Sequence, residues 1–174
     1  MKFITTEYEI SPLTLSVMPK ILENGVLGSH ILEVNNEIVV GKSPSKLVDY
    51  ACKYYGSSLR GRQEGTRGVC GITHKAPIAI DPHSGMFFFP TTSPQNSKCI
   101  WIAHTHVSKI ESKDTYETIV KFKNGKEIIV PVSYGSMINQ LQRTAHYRYK
   151  LTERLQYSWA TTGNEKIAEP LLKI

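Results

Sequence analysis

Hydrophobic and polar residues alternate in short bursts along the first forty positions, a pattern that favours β-strands. Asn35-Asn36 separates the runs HILEV and EIVVG, which predicts a hairpin. Further strand-like runs follow as APIAID, MFFFP, KCIWIAHTHVSKI, TYETIVKF and KEIIVPV. Asn124-Gly125 separates the last two runs and predicts a type I′ turn, in which both central residues have positive φ.

Two segments have helical periodicity instead. The first covers about 44–55 and stops at Gly56, and the second covers about 136–160. On the second, one stripe of the helix is apolar and is expected to be buried: Met137, Ile138, Leu141, Ala145, Leu155 and Trp159. We therefore predict one α+β domain over residues 1–174, with a mostly antiparallel sheet flanked by a short helix at about 44–55 and a long C-terminal helix at about 136–160.

Residues 56–68, GSSLRGRQEGTRG, combine four glycines with three arginines. Each glycine inside a helix costs about 1 kcal/mol relative to alanine, so the stretch is predicted to be a loop. Its guanidinium groups, hydroxyls and open backbone suit phosphate oxygens or a nucleic-acid groove. An ordinary flexible surface loop is the alternative. The arginines in question are Arg60, Arg62 and Arg67.

The predicted C-terminal helix also has a basic face. Arg143, Tyr147, Lys150 and Arg154 project within about 60° of one another, opposite the apolar stripe. Such a face is able to follow a phosphate backbone, although a solvated outer face gives the same pattern.

Composition narrows the class of protein. The chain has 174 residues, and its 21 Lys and Arg against 15 Asp and Glu give a net charge of +6, which favours polyanionic partners. Three widely spaced cysteines indicate reduced thiols in a cytosol rather than a disulfide framework. The N-terminus does not have the pattern of a signal peptide, and no apolar run reaches membrane length. We expect a cytoplasmic protein without a membrane partner.

Cysteines and histidines raise the question of a metal site or a thiol enzyme. If residues 99–107 form one strand, His104 and His106 share a face and Cys99 lies on the other, so they do not converge on one ion. Cys70 has His74 nearby in sequence, but nothing marks an activated thiolate. We predict no metal, no cofactor and no enzymatic activity. The two histidines are interpreted as a polar patch that donates to phosphate when protonated.

Several long strings resemble the ComK family of competence transcription factors. They are YACKYYGSSLRGRQEGT, THKAPIAIDP, FFFPT, WIAHTHV, KFKNGKEIIVPVSYGS and NQLQRTAHYR, in unbroken order over about residues 45–150. The resemblance implies a transcriptional activator of genes for DNA uptake that binds AT-rich promoter boxes through the minor groove. It also implies a homodimer or higher homo-oligomer on double-stranded DNA, with RNA polymerase as a further partner.

Better-known members of the family carry a longer tail with an aromatic-Leu-Tyr-Pro-Lys-like segment that an adaptor uses for proteolysis. This chain ends in a short tail at 161–174, TTGNEKIAEPLLKI, without that segment. Adaptor-controlled turnover is therefore not expected, and the chain resembles a shorter paralogue.

Charge and geometry, rather than the resemblance, select the expected DNA contacts. Arg60, Arg62 and Arg67 are expected in the groove or on phosphate, with phosphate contacts from Lys75, Arg143, Lys150 and Arg154 and supporting roles for His104, His106 and Tyr147. Two other hypotheses remain open: a non-activating regulatory paralogue that acts through protein contacts such as mixed dimers, and a metal- or thiol-dependent enzyme.

Overall fold

The computed structural model of the protein describes residues 2–5 and 7–160. The tail at 161–174 and the side chain of Trp159, which was predicted to be buried, lie outside the described residues. Across the described part of the chain, no helix is both long and apolar enough to span a bilayer.

Ten strands and three α-helices are formed by the described residues. In chain order they are β1 (Lys2–Thr5), β2 (Thr14–Ile21), β3 (Leu27–Glu33), β4 (Glu37–Val40), α1 (Pro44–Tyr54), α2 (Leu59–Cys70), β5 (Ile78–Asp81), β6 (Met86–Pro90), β7 (Trp101–Ala103), β8 (Val107–Ser112), β9 (Thr118–Phe122), β10 (Glu127–Val130) and α3 (Tyr134–Ala160).

The strands form two sheets. The larger has the order β1-β4-β3-β2-β7-β6-β5, and the smaller has the order β10-β9-β8. Only the β1–β4 pair is parallel among the described strands; the other neighbours are antiparallel. The predicted α+β class, the mostly antiparallel sheet and both predicted helices are confirmed.

Both hairpin positions are confirmed, but one turn type was wrong. β3 and β4 pair across Asn35-Asn36, and β9 and β10 pair across Asn124-Gly125. In the second turn Gly125 has a φ of 86° while Asn124 does not have positive φ. A type I′ turn is therefore excluded. The Asn124 side chain instead accepts from the Lys126 N–H at 3.1 Å and donates to the Val34 carbonyl at 3.1 Å.

The core lies on both faces of the larger sheet. α1 covers one face, and the smaller sheet and the start of α3 cover the other. The three phenylalanines of MFFFP are buried, Phe88 on the α1 side, Phe89 on the opposite side, and Phe87 against α3. They are core residues and are not available to stack on bases.

The strand-like run KCIWIAHTHVSKI at residues 98–110 is not one strand. β7 ends at Ala103, residues His104–His106 form a 3₁₀ turn, and β8 starts at Val107. The turn carries the chain from the larger sheet into the smaller one, because β7 pairs with β2 and β6 whereas β8 pairs with β9. His104 and His106 therefore do not share a strand face.

The prediction that residues 56–68 form a loop was also wrong, since most of this stretch belongs to the helix α2. Ser58 caps the helix by accepting from the Gly61 N–H at 2.9 Å, and Gly71 ends it with a φ of 70°. Buried Thr66 donates to the Pro77 carbonyl at 2.6 Å and so fixes the helix against the segment before β5. These tertiary contacts outweigh the low helix propensity of the glycines.

Candidate nucleic-acid interface

A groove of about 700 Å³ runs between α2 and two connecting segments. Arg60 and Arg67 line it from α2, and Lys75 lines it from the connection to β5. Residues 92–95 close the opposite wall with hydroxyl, proline and amide groups. Three of the predicted contact residues are thus brought together around one solvent-facing depression.

One acidic residue lies in the same groove. Arg60 donates through Nε to the Glu64 carboxylate at 3.0 Å, and both side chains are largely exposed. An exposed pair of this kind contributes little to stability, so the Arg60 guanidinium is able to exchange Glu64 for another anion at small cost.

Helix α3 fixes the far side of the groove. Arg143 donates to the His74 carbonyl through Nη2 and to the Gln140 amide oxygen through Nη1 at 2.8 Å. Gln140 in turn donates to the carbonyls of Lys75 at 3.0 Å and Pro90 at 2.6 Å. The groove wall is therefore held by hydrogen bonds from a long helix.

Lys75 has an unusual backbone conformation. Its φ is 47°, and it is the only non-glycine residue of the described chain with positive φ. For an L-residue this region costs roughly 1–2 kcal/mol. The bond that its carbonyl accepts from Gln140 helps to offset this cost, and it holds the lysine at the groove edge.

Two further predicted residues, Lys150 and Arg154, lie on exposed positions of α3 beside the end of α2. Partial burial raises the pKa of the Cys70 thiol, while the positive charges of Lys150 and Arg154 act to lower it. Because Lys150 and Arg154 act electrostatically on Cys70, the last residue of α2, the basic side chains of α2 and α3 lie on adjacent parts of the surface.

Arg62 is placed differently from the prediction. Its Nη2 donates to the carbonyls of Tyr55 at 3.2 Å and Ile80 at 3.1 Å, and its Nε is buried without a described partner. The guanidinium thus joins the end of α1 to β5. Because its α2 position faces the larger sheet, Arg62 is a structural residue, and its expected role at a groove or phosphate is withdrawn.

Tyr147 was predicted on the exposed basic face and is instead buried. Its ring packs edge-on against Phe87 with the centroids 6.0 Å apart, and burial raises its pKa. The buried residues of α3 recur as Met137, Gln140, Thr144 and Tyr147. Ala145 and Leu155, predicted to be buried, are exposed.

The error in the α3 face has a clear physical origin. The buried face is rotated by roughly a quarter of a turn from the apolar stripe. Gln140 and Thr144 occupy it because both are hydrogen-bonded there, Gln140 to the carbonyls already described and Thr144 to the Gln140 carbonyl at 2.6 Å. A pattern based on hydrophobicity does not detect buried polar residues whose partners lie far away in sequence.

Neither predicted histidine lies in the groove. His106 hydrogen-bonds through Nε2 to the Pro12 carbonyl at 2.7 Å. His104 lies on another flank of α3, where burial, followed by the charges of Arg148 and Lys123, lowers the pKa of its imidazole. Protonated donation to phosphate is therefore disfavoured at His104.

Gln140 is the residue of this site that the sequence did not reveal. A single glutamine on a helix has no local signal for burial, and its partners are 50 and 65 positions away. The His74 carbonyl was missed for the same reason, since backbone acceptors have no residue signature.

The described residues contain no group of three or more histidine, cysteine or acidic side chains that could hold a metal ion. Cys52 and Cys99 are buried, and burial raises their pKa to about 12 and about 11 respectively. Such thiols are protonated near neutral pH and are poor nucleophiles.

Comparison with known proteins gives two matches. The family model described as ComK protein matches residues 5–156. The competence transcription factor of Bacillus subtilis (strain 168) is 39% identical over 150 residues, which cover 86% of this chain and 78% of that protein. No solved structure matches the chain. Since both matches span most of the sequence and all of the groove described above, this chain belongs to the ComK family.

Proposed function

We propose that this protein is a transcription regulator of competence genes that binds AT-rich duplex DNA. Membership of the ComK family and the similarity to a competence transcription factor support the general role. A transcription factor of this kind works in the cytoplasm, on the nucleoid, and needs no catalytic centre.

The observation that carries the proposal is the placement of Arg60, Arg67 and Lys75 around one groove. Arg143 lies behind its wall, and Lys150 and Arg154 extend the positive surface past the end of α2. Arginine and lysine side chains spaced along two adjacent helices supply several contacts to one phosphate backbone.

The minor groove of A·T tracts is the favoured target of the exposed arginines. Such tracts have a narrow minor groove with enhanced negative potential, which attracts inserted arginine side chains. Because that groove distinguishes A·T from G·C but little else, DNA shape should contribute strongly to selectivity. Arg60 and Arg67 fit this role, since α2 presents both to solvent.

The test is a salt titration of binding to AT-rich and GC-rich duplexes of equal length. Wild type should prefer the AT-rich duplex, and a minor-groove drug should compete. Arg67→Ala and Lys75→Ala should each reduce the slope of log K against log salt by about 0.9. The matched control is Lys53→Ala, which removes an exposed lysine of α1 that is paired with Asp49. Equal binding to both duplexes, or slopes unaffected by the groove variants, contradicts the proposal.

Assembly and partners are part of the same proposal. The protein binds paired AT-rich boxes as a homodimer or higher homo-oligomer and contacts RNA polymerase there. Sedimentation on duplexes with one or two boxes should show a second copy joining only on the paired site. A reporter promoter then separates an activator from a paralogue that binds DNA without activating transcription.

A further inference from the structure

A second basic cleft lies on the other flank of helix α3. It has a volume of about 390 Å³ and is enclosed by α3, the 3₁₀ turn and the start of β8. Three of its lining residues carry positive charge, namely Lys109, Lys123 and Arg148, and His104 also lines it. Thr105, Ser108 and Gln142 add hydroxyl and amide donors.

No acidic side chain lines this cleft among the described residues, in contrast to the first groove, which contains Glu64. Lys109 is paired with Glu111 at 2.7 Å, and Lys121 shares that carboxylate at 2.9 Å from outside the cleft. Lys123 and Arg148 have no salt bridge within the described part of the chain. Two cations without an ion-pair partner in one depression favour the binding of an external anion.

The environment of His104 also reflects the positive charge of the cleft. The His104 Nδ1 atom is buried in the wall of the cleft without a hydrogen-bond partner in the described residues. The imidazole also experiences the positive potential of Arg148 and Lys123, which both act to lower its pKa. A bound phosphate oxygen would offset that potential.

The position of Arg148 shows that its charge is held in place. The guanidinium lies 5.5 Å from the centre of the Phe87 ring, a cation–π distance, and the side chain is half-buried. Lys150 and Arg154 lie on the other flank of α3. Since a helix with its side chains is about 10–12 Å wide, cations on both flanks are able to contact separate stretches of DNA backbone.

We propose that the cleft of His104, Lys109, Lys123 and Arg148 is a second phosphate-binding site, so that bound DNA crosses α3 and is held on both of its flanks. This inference rests on the proposed DNA-binding function. The favoured ligand is backbone phosphate rather than a free nucleotide, because the cleft lies on the same helix as the first set of basic residues and has no phenylalanine, tyrosine or tryptophan among its lining residues.

The experiment measures salt-dependent binding of an AT-rich duplex by wild type and by Lys123→Gln with Arg148→Gln. The double variant should lose about 1.8 from the slope of log K against log salt. When the salt concentration rises fourfold, the factor by which the affinity of the double variant falls should therefore be about twelve times smaller than the factor for wild type. Lys53→Gln with Lys113→Gln is the charge-matched control, since both lysines lie in exposed ion pairs outside the cleft.

An unchanged slope in the cleft variant overturns the inference, whereas the proposed function stands if Arg67→Ala still lowers the slope. If wild type does not bind the duplex at all, both this inference and the proposed function are wrong.

Arg148→Gln also removes the contact with the Phe87 ring and could unfold the protein for that reason. In that case the double variant Lys109→Gln with Lys123→Gln makes the same test and leaves Arg148 in place. Inorganic phosphate is the second probe, and its binding is followed by the NMR resonance of the His104 imidazole in wild type. If phosphate shifts this resonance while the double variant keeps the wild-type salt slope for DNA, the cleft binds free anions. The assignment to DNA backbone phosphate is then wrong.

Discussion

The side-chain amide of Gln140 donates to the Lys75 carbonyl at 3.0 Å and so ties the long helix to the one strained residue of the groove. The same amide nitrogen lies 2.6 Å from the Pro90 carbonyl, and the amide oxygen accepts from Arg143. Fold stability and the shape of the groove therefore depend on one buried polar side chain. Unlike a helix that packs through apolar side chains alone, α3 is also held in place by the hydrogen bonds of a buried glutamine.

Gln140→Ala should destabilise the protein by about 2–4 kcal/mol, because the buried Pro90 carbonyl and the half-buried Lys75 carbonyl both lose this donor. DNA affinity should fall as well, since the Lys75 turn loses its support. Urea unfolding measures the loss of stability. DNA binding, measured at a temperature at which the variant is folded, gives the loss of affinity separately. Asn139→Ala, one position away and exposed, is the control and should change neither. A variant as stable as wild type would show that the amide bonds are unimportant.

Arg62 and Arg67 provide a matched pair with opposite expected behaviour. Arg62→Ala removes donors to the Tyr55 and Ile80 carbonyls and should cost about 1–3 kcal/mol of unfolding free energy. The salt slope of DNA binding should be unchanged. Arg67→Ala should leave stability within about 0.5 kcal/mol of wild type and reduce the slope. Denaturant unfolding and salt titrations check both arms, and a reduced slope in the folded Arg62 variant would restore its role at phosphate.

The glycines of α2 differ in what a methyl group would meet. A Cβ on Gly65 or Gly68 has nothing within 4 Å, whereas one on Gly61 lies 2.8 Å from Ser57 Oγ and 3.2 Å from Ser58 Oγ. Gly65→Ala and Gly68→Ala should each stabilise the protein by about 1 kcal/mol through helix propensity. Gly61→Ala should gain less or lose stability, because it crowds the cap. Thermal melting checks the order, and equal gains at all three positions would contradict it.

These cases show which parts of the structure the sequence could predict. Both long periodic helices, the hairpins and the α+β class follow from spacing and turn residues, which act over a few positions. The helical state of α2 depends on Thr66 and Pro77, and the face of α3 depends on Gln140 and Pro90, so both are set by partners distant in sequence. Charge selected Arg60, Arg67 and Lys75, which the structure brings together around one groove. Charge alone did not separate them from Arg62, whose partners are backbone carbonyls.

His104 should make stability depend on pH in a defined direction. Burial, followed by the charges of Arg148 and Lys123, lowers its pKa in the folded state below the ordinary value of 6.5. The unfolded state therefore binds the proton more readily than the folded state. Neutral His104 makes its full contribution to the free energy of unfolding above about pH 6.5, and this contribution is lost as the pH falls toward the folded pKa. His104→Gln should flatten the fall in melting temperature between about pH 7.5 and pH 5. Exposed His83→Gln is the control and should keep the wild-type profile.

Lys75 combines two properties, a positive charge at the groove and a backbone φ of 47°, and two substitutions separate them. Lys75→Ala and Lys75→Gly both remove the charge, so each should lower the salt slope by the same amount, about 0.9. Only glycine accepts the left-handed conformation without strain, so Lys75→Gly should be more stable than Lys75→Ala by about 1 kcal/mol. Unfolding measurements and salt titrations on the same two proteins test both properties. If the slopes differ, the backbone conformation itself shapes the DNA contact; if the stabilities are equal, the Gln140 bond already relieves the strain, and the turn is held by α3 alone.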